Sequence, residues 1–426
     1  MKAPPVAPSV APPAAPSAAP PGRRTALSQL GGEVEVAGDR ELGEALRAAF
    51  DVVATETTEL ADVHGFHSYP ARMHPETAQR LIARLSTPGQ TVLDPFCGSG
   101  TVLVEARRLG RRGLGYDVNP LSRELSWLKT LAPNDDWLAT LTEEAARVAA
   151  HADERRKRKA GATQRYAEAD RAQFAAHVLL ELDGLRDGLQ TSSHPEQRRA
   201  LFLVLSALLT KVSQKSGDSA AHATEKRVAP GFPSRFFVKK TSELCRQLAE
   251  YRRSLPLDAP VAACTLGDAR KLPGLLASSV ALVVSSPPYP GVYDYLAHHD
   301  DRLRWLGLPS HDFEKLEIGS RRELSGESFG PALAVWERDL AATLTALGRG
   351  LEAVGRIVLL IADSTLAGKP LYAERVVEKA APAVGLALLA RASQARPHVH
   401  GGSRDAFVKK PRREHLLVLG AAQRER

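Results

Sequence analysis

The chain has 426 residues, a formal net charge of +8 and only 5% aromatic residues. Charged residues make up 25% and hydrophobic residues 43%, a balance typical of globular proteins that excludes collagen-like, coiled-coil and wholly disordered classes. No apolar run reaches the length of a membrane span, and no apolar core of an export signal is visible. The three cysteines are widely spaced and form no CxxC pair, which argues against a disulfide framework or a structural zinc site and favours a reducing cytoplasm.

The N-terminal segment differs in composition from the rest of the chain. Residues 1–22 are almost entirely proline, alanine and serine. Such a composition cannot bury enough apolar surface to offset the entropy lost on ordering. We therefore predict a disordered tail over residues 1–30, with globular sequence from residue 31.

A βαβ unit is predicted within residues 31–131. The apolar run Thr91–Asp94 predicts a short strand that leads into a tight glycine turn. A helix follows over residues 101–109, and a second strand over residues 114–117 ends in an acid. Strand, glycine turn, helix and strand in this order indicate parallel pairing of the two strands.

Residues 132–256 interrupt the α/β pattern with a helical insertion. Apolar residues recur at helical spacing between Trp137 and Val148, between Phe174 and Leu189, and between Leu201 and Val212. A basic loop rich in glycine, proline and serine is predicted between Lys215 and Lys240.

The α/β pattern resumes over residues 257–420. Val280–Val284 predicts a buried strand, a long helix follows over residues 333–351, and further strands are predicted at residues 357–362 and 415–419. Strands that alternate with helices predict a doubly wound α/β fold whose mostly parallel sheet is covered on both faces.

The first predicted site is the glycine turn Asp94-Pro-Phe-Cys-Gly-Ser-Gly-Thr101. Gly98 and Gly100 allow a ligand to approach the backbone closely, and the helix that follows offers unpaired amides. Asp94, at the carboxyl end of a strand, can bind an ammonium group. A purely structural turn is the alternative for this motif alone, and the missing Gly-Lys-Ser/Thr ending excludes a phosphate loop.

Asp117 is the second predicted site because it ends the second strand of the βαβ unit. An acid at this place commonly hydrogen-bonds ribose hydroxyls, although an exposed helix-capping aspartate is the alternative. Together, Asp94 and Asp117 describe a pocket for a nucleoside that carries a positive centre and needs no phosphate clamp. S-adenosylmethionine meets that description.

The third predicted site is Ser286-Pro287-Pro288-Tyr289, directly after the strand at residues 280–284. Two prolines end a strand sharply and fix the backbone, which suits carbonyl groups aimed at a reacting atom. Tyr289 adds a flat aromatic face. The alternative, a proline-rich turn with a core tyrosine, is disfavoured by the position of the motif at the end of a strand.

On these motifs the chain resembles DNA methyltransferases that modify the exocyclic amine of cytosine (N4) or adenine (N6). Residues 94–101 match the family's cofactor motif and residues 286–289 its catalytic motif. Phe66-His-Ser-Tyr-Pro-Ala-Arg72 is similar to the motif around the methionine end of the cofactor, and Gly267-Asp-Ala-Arg270 takes the place of the acid near the adenine ring. Arg413-Glu-His-Leu416 resembles the entry to the last strand.

The resemblance covers roughly residues 60–125 and 262–420 and implies a Rossmann-like methyltransferase sheet with a helical insertion. It implies S-adenosylmethionine as cofactor, bound by Phe66, His67, Tyr69, Asp94, Pro95, Phe96, Gly98, Gly100, Thr101, Asp117, Asn119, Asp268 and Ala269. It also implies catalysis by Ser286, Pro287, Pro288 and Tyr289. The Ser286 hydroxyl and the Pro287 carbonyl would accept hydrogen bonds from the target amine, and Tyr289 would stack on the flipped base.

The implied substrate is double-stranded DNA, with a cognate restriction endonuclease as a further partner and no membrane association. A motif that begins with serine favours cytosine N4 over adenine N6. Two alternatives stay open: an RNA or protein amine methyltransferase, and a catalytically silent DNA-binding subunit.

Basic residues of the insertion are predicted to contact DNA phosphates, because the segment is glycine-rich and interleaved with phenylalanines. The predicted contacts are Lys211, Lys215, Lys226, Arg227, Arg235, Lys239 and Lys240. The run Arg155–Lys159 is instead predicted to be a solvated helix face, and His298 and His299 are predicted to be structural because adjacent helical side chains diverge.

Overall fold

The structure is a computed structural model that describes residues 32–52, 60–214, 227–396 and 401–422. The predicted disordered tail lies outside the described residues, as do Lys215 and Lys226. None of the helices within the described ranges is long and apolar enough to cross a membrane.

Ten strands form within the described residues. They are β1 (Val34–Gly38), β2 (Thr91–Asp94), β3 (Arg112–Asp117), β4 (Ala263–Leu266), β5 (Val280–Ser285), β6 (Leu351–Ala362), β7 (Ser364–Leu366), β8 (Lys369–Leu371), β9 (Leu386–Ala395) and β10 (Arg413–Ala421).

The helices surround the strands or lie in the connection between β3 and β4. They are α1 (Arg40–Phe50), α2 (Pro75–Leu85), α3 (Thr101–Arg108), α4 (Pro120–Lys129), α5 (Asp135–Lys157), α6 (Glu168–Gln173), α7 (Ala176–Gln190), α8 (Pro195–Val212), α9 (Phe232–Ser254), α10 (Tyr295–Leu306), α11 (His311–Leu316), α12 (Phe329–Gly350), α13 (Ala373–Ala383) and α14 (Gly401–Ala406). A short 3-10 helix spans Asp62–Gly65.

Eight strands form one sheet in the order β1-β9-β10-β6-β5-β2-β3-β4. Strands β2 to β6 pair in parallel, whereas β10 runs antiparallel to both β6 and β9, and β1 runs antiparallel to β9. This topology confirms the predicted doubly wound α/β fold. The strand order reverses between β2 and β5, and ligands bind outside the carboxyl ends of strands at such a reversal.

The predicted elements near the reversal form at or close to their predicted bounds. Strand β2 has the predicted bounds, and β5 extends one residue further, to Ser285. Every residue of β5 is buried, as expected for a central strand covered on both faces. The edge strand β1 was not predicted, because Val34–Gly38 is short and alternates with exposed residues.

The predicted basic loop between Lys215 and Lys240 is wrong for its second half. Helix α9 begins at Phe232, so Phe232–Lys240 is helical. Gly231 adopts a left-handed conformation before the helix, and Pro233 lies in its first turn, where the missing N–H of proline costs nothing. Proline and glycine therefore mark a helix start here.

The elements described between residues 132 and 256 are helices, as their apolar spacing predicts. Helices α5, α7, α8 and α9 pack against one another. Their buried residues form one core with Phe66, Val104 and Leu121 of the α/β part. The division of the chain into a discontinuous catalytic domain and an inserted segment stays a prediction.

Candidate active site

A cleft lies at the carboxyl ends of β2, β3 and β5. Its empty volume is about 830 Å³, which includes the part that is open to solvent. Its lining brings together residues from all three predicted sites. The predicted residues that line it are Tyr69, Asp94, Pro95, Phe96, Gly98, Thr101, Asp117, Asn119, Asp268, Ala269, Ser286 and Pro288. The cleft therefore joins the predicted cofactor residues to the start of the predicted catalytic motif.

Asp94 lies buried at the end of β2 and is tied to the neighbouring strand. Its Oδ1 accepts hydrogen bonds from the Ser285 hydroxyl (2.6 Å) and the Phe96 amide (3.1 Å). Burial, together with a smaller effect of the Asp117 charge, raises the pKa of Asp94 to about 7, although these two hydrogen bonds oppose the rise. Ser285 thus links the two strands between which the order reverses.

Asp117 holds the glycine turn in place while it lines the cleft. Its Oδ2 accepts a hydrogen bond from the Gly98 amide (2.8 Å), and its Oδ1 accepts one from the Asn119 amide (2.9 Å). Burial raises the pKa of Asp117 to about 6. Each carboxylate oxygen has a second lone pair, so Asp117 can serve both the turn and a ligand hydroxyl.

The two glycines of the turn make room for protein neighbours. Gly98 has a φ of +49°, and a Cβ there would lie 3.1 Å from Cε1 of Tyr69. Gly100 has a φ of +85°, and a Cβ there would lie 2.8 Å from the Ser126 hydroxyl of α4. The prediction that both glycines admit a ligand is thus corrected for Gly100, which caps α3 and packs against α4.

Tyr69 forms an aromatic wall of the cleft. Its hydroxyl is 2.9 Å from the Ser122 hydroxyl and accepts a hydrogen bond from the Asn119 side-chain amide (3.3 Å). Its ring stacks on Tyr295, with centroids 6.4 Å apart, and contacts His299 at 4.7 Å. These contacts fix the ring beside the glycine turn.

Ser99 provides an unpaired polar atom inside the cleft. Its side chain is buried, and its Oγ has no hydrogen-bond partner among the described residues. A buried hydroxyl without a partner is costly unless a ligand or water satisfies it. The buried Asp94, the partly buried Asp117 and one unsatisfied donor fit a ligand with a cationic centre, hydroxyls and hydrogen-bond acceptors, which are the groups of S-adenosylmethionine.

Asp268 lines the cleft, but a neighbouring cation occupies its oxygens. The Arg270 Nε lies 2.9 Å and 3.1 Å from Oδ1 and Oδ2 of Asp268, and the Arg270 amide donates to Oδ1. Arg270 also pairs with Asp339. The acid that the resemblance places near the adenine ring is therefore already paired with Arg270.

The predicted cofactor residues Phe66 and His67 do not line the cleft. Phe66 is fully buried in the core shared with the inserted helices. The His67 Nε2 lies 3.1 Å from the Ser206 hydroxyl of α8. Both residues thus anchor the segment before Tyr69 to those helices.

The residues of the catalytic motif line two different cavities. Ser286 and Pro288 line the cleft, whereas Pro287 lines a smaller apolar cavity behind it. Tyr289 is 8% exposed, packs in the core with Ile318 and Trp336 and does not line the cleft, so the predicted stacking of its ring on a flipped base is corrected. Burial raises the pKa of Tyr289, and a hydrogen bond with the Ser286 side chain opposes that rise.

A second side of the cleft, which the sequence motifs do not predict, is formed by Tyr295, Phe313, Glu317 and Ile318. The Glu317 carboxylate accepts a hydrogen bond from the Tyr295 amide (2.6 Å) at the start of α10, and burial raises the pKa of Glu317 to about 7. No local motif marks this pair, because the contact joins residues 22 positions apart.

Cys97 and Cys264 also meet although they are distant in the sequence. Their sulfur atoms lie 3.1 Å apart, and both are free cysteines. Cys97 lines the cleft, which agrees with its predicted place in the turn. The separation of the cysteines along the chain gave no indication of this contact.

The predicted DNA contacts of the insertion are only partly accessible. Lys211, Arg227, Arg235 and Lys239 are exposed. Lys240 pairs with Glu243 (3.2 Å) and lies over the Phe66 ring at 5.4 Å, which removes it from a simple phosphate-binding role.

The basic run at the end of α5 is largely neutralised by acids. Arg155 pairs with Asp183, Arg156 with Asp153, and Arg158 with Glu154. This pairing agrees with the predicted solvated helix face.

Comparison with known proteins supports the resemblance over part of the chain. Residues 38–126 match the sequence profile of a family described as DNA methylase. The type II methyltransferase M.MjaII of Methanocaldococcus jannaschii is 34% identical over 74 residues, which cover 17% of this chain and 14% of that protein. The type II methyltransferase M.MvaI of Kocuria varians is 42% identical over 79 residues, covering 18% and 17% of the two chains.

Two further comparisons concern RNA methyltransferases. A tRNA (guanine(10)-N2)-dimethyltransferase of Methanothermobacter thermautotrophicus is 43% identical over 53 residues, covering 12% of this chain and 16% of that protein. Among solved structures, the rRNA methyltransferase aviRa of Streptomyces viridochromogenes aligns with a TM-score of 0.32 and 14% sequence identity, over 88% of this chain and 96% of that one.

The chain spans less than a fifth of the length of the curated relatives it matches. The matched segment nevertheless contains the glycine turn, Asp94 and Asp117. The predicted resemblance to amino-methylating DNA methyltransferases is confirmed for this segment. The family also confirms S-adenosylmethionine as the predicted cofactor.

Proposed function

We propose that the chain transfers a methyl group from S-adenosylmethionine to the exocyclic amine of a DNA base, preferably N4 of cytosine. The observation that carries the proposal is the shared cleft of Ser286 and Pro288 with Asp94 and Asp117. This arrangement places a candidate amine-binding motif beside a candidate nucleoside-binding pocket.

The cofactor, when bound, supplies an electrophilic methyl group on a positively charged sulfur. Asp94 and Asp117, when ionised, offer negative charge to its cationic groups and acceptors to its hydroxyls. The Ser285 hydroxyl fixes the orientation of Asp94, and Asp117 holds the Gly98 amide. The free Ser99 hydroxyl supplies a donor within the same pocket.

Ser286 is the residue placed to act on the target amine. An exocyclic amine is a poor nucleophile because its lone pair is delocalised into the ring. Hydrogen bonds accepted from its N–H groups favour a tetrahedral nitrogen and free the lone pair for attack. The Ser286 hydroxyl can accept one such bond, and the carbonyl of Pro287 is the candidate for a second.

The two prolines and Tyr289 keep this motif rigid. Proline fixes the backbone, and the buried Tyr289 ring anchors the end of the motif in the core. The mechanism requires no covalent intermediate with the protein. Tyr69 and Tyr295, which line the cleft, are the aromatic surfaces that a base extruded from a duplex would meet.

The preference for DNA and for cytosine rests on the resemblance. The motif begins with Ser286, and serine at that position favours cytosine N4, with adenine N6 as the alternative within the family. The matched relatives are named type II methyltransferases, which is consistent with a cognate restriction endonuclease as partner. If the substrate is DNA, we expect the protein to act in the cytoplasm, where it associates with cellular DNA.

An RNA amine is the second candidate substrate. The match to a tRNA (guanine(10)-N2)-dimethyltransferase favours it, and the N2 amine of guanine presents the same delocalised lone pair. The cleft chemistry described above would serve either nucleic acid.

A tritiated methyl-transfer assay separates these candidates. The purified protein and S-adenosylmethionine would be incubated with duplex DNA, with tRNA and with a protein mixture. We expect label in DNA, and we expect Ser286→Ala to lose transfer while it retains cofactor binding. Label confined to RNA or protein would overturn the proposal.

A further inference from the structure

A cluster of cations lies along the edge of the sheet that carries the cleft. This cluster, called here the basic edge, consists of Lys369, Arg375, Arg404, Lys409 and Lys410. All but the partly buried Lys410 are exposed. Within the described part of the chain, none of the five forms an ion pair, so their charges are not neutralised as those of α5 are.

The strand directions place the basic edge beside the cleft. Strands β5 and β6 are parallel, so the β7–β8 hairpin that follows β6 leaves the sheet at the same edge as Ser286. Strand β10 is antiparallel to β6, with Glu414 opposite Ala362. Residues 404–412, which precede β10, therefore lie at this edge too.

The lateral distance from the cleft suits a nucleic acid strand. Strands β5 and β10 are two positions apart in the sheet, which corresponds to about 10 Å at the usual strand spacing. The hairpin also contacts the segment after the catalytic motif, because the Ser364 hydroxyl donates to the Pro290 carbonyl (3.3 Å). The basic edge is thus continuous with the wall of the active site.

Aromatic rings are interleaved with these cations. The guanidinium of Arg375 and the ammonium of Lys410 each lie 5.1 Å from the centre of the Tyr372 ring. Tyr372 in turn packs edge-on against Phe407 at 5.8 Å. This arrangement holds the cations in place, and basic side chains interleaved with aromatic ones are typical of nucleic-acid surfaces.

The acids nearby do not cancel the positive charge. Glu35 pairs with Arg413, and Asp405 and Glu378 are exposed. Within residues 369–378 and 404–410, which carry the five cations, the third acid is Glu374, and it pairs with Arg391. The cations therefore outnumber the unpaired acids of these two segments by five to two. A polyanion is the partner that fits such a surface.

We propose that the basic edge binds phosphates of the DNA strand that carries the target base. The inference rests on the proposed function and adds the face on which DNA docks. It differs from the predicted contacts in the insertion, where Lys240 is already paired with Glu243. Phosphate contacts position a duplex without reading its sequence, so the basic edge would set the register of the target base over Ser286.

Three double variants, each of which removes two positive charges, test this inference. Arg404→Ala/Lys409→Ala changes the basic edge, Arg235→Ala/Lys239→Ala changes the insertion, and Lys157→Ala/Lys159→Ala is the matched control. Affinity for a fluorescent duplex would be measured against salt concentration, and cofactor affinity would be measured by calorimetry to confirm that each variant is folded.

We expect the basic-edge variant to flatten the log–log salt slope by about two units, because each neutralised phosphate contributes about 0.9. The control should keep the wild-type slope, and cofactor affinity should stay the same in all three. A wild-type salt slope in the basic-edge variant would overturn the inference. A flattened slope in the insertion variant, together with that result, would place the phosphate contacts on the insertion instead. A wild-type protein that transfers no methyl group to DNA would overturn the proposed function itself.

Discussion

The affinity for S-adenosylmethionine should fall as the pH decreases from 8 to 6. Asp94 and Asp117 have pKa values of about 7 and about 6, and a cationic ligand binds their ionised forms. At pH 6 about one-tenth of Asp94 and about half of Asp117 are ionised, against about nine-tenths and nearly all at pH 8. If both must ionise, the affinity at pH 6 is about twentyfold weaker.

Calorimetry in buffers of different ionisation enthalpy measures the protons released on binding. The same pKa values predict the release of about one proton at pH 6.5 and about one-tenth of a proton at pH 8. Ser285→Ala should move the transition to higher pH, because the Ser285 hydroxyl bond lowers the pKa of Asp94. Ser286→Ala, one residue along and without a bond to Asp94, is the matched control.

Two results would refute this reasoning. A cofactor affinity that stays constant between pH 6 and pH 8 would show that the two acids do not bind the cationic part of the ligand. A transition shifted equally by Ser285→Ala and by Ser286→Ala would show that the link between Asp94 and Ser285 does not control it.

Three further predictions follow from the cleft. Ser286→Ala should lower the rate of methyl transfer by about ten- to a thousandfold with little change in cofactor affinity; an unchanged single-turnover rate would remove Ser286 from the mechanism. Gly98→Val should abolish cofactor binding, since its side chain would meet Tyr69 at a positive φ; calorimetry with a wild-type affinity would contradict this. Asp94→Asn should be more stabilising at pH 8 than at pH 5, because the raised pKa of buried Asp94 makes the ligand-free protein lose stability as the pH rises from about 4 towards 7, by at most about 1.4 kcal/mol per pH unit; equal melting-temperature differences at both pH values would contradict it.

Short motifs at strand ends made the centre of the site predictable. Asp94, Asp117 and Ser286 each follow an apolar run, and the carboxyl ends of parallel strands meet at one edge of a sheet. Once the runs at residues 91–94 and 280–284 are assigned as strands, these side chains must converge. The apolar residues of the insertion recur at helical spacing, and this pattern also predicts its helices directly.

The rest of the site depends on contacts between distant residues. Ser285 looks like the last residue of a buried strand until the pairing of β5 with β2 brings it to Asp94. Glu317 reaches Tyr295 only because α11 folds back on the start of α10. The sequence predicts a loop at the start of α9 because Gly231 and Pro233 are typical of both loops and helix starts.

The measurement that tests the central claim most directly is mass spectrometry of nucleosides from duplex DNA treated with the protein and S-adenosylmethionine. We expect N4-methylcytosine in the wild-type reaction and its loss with Ser286→Ala. N6-methyladenine would correct the preferred base and leave the mechanism intact. Unmodified DNA from a protein that binds the cofactor, or equal methylation by Ser286→Ala, would contradict the assignment of this cleft to amine methylation of DNA.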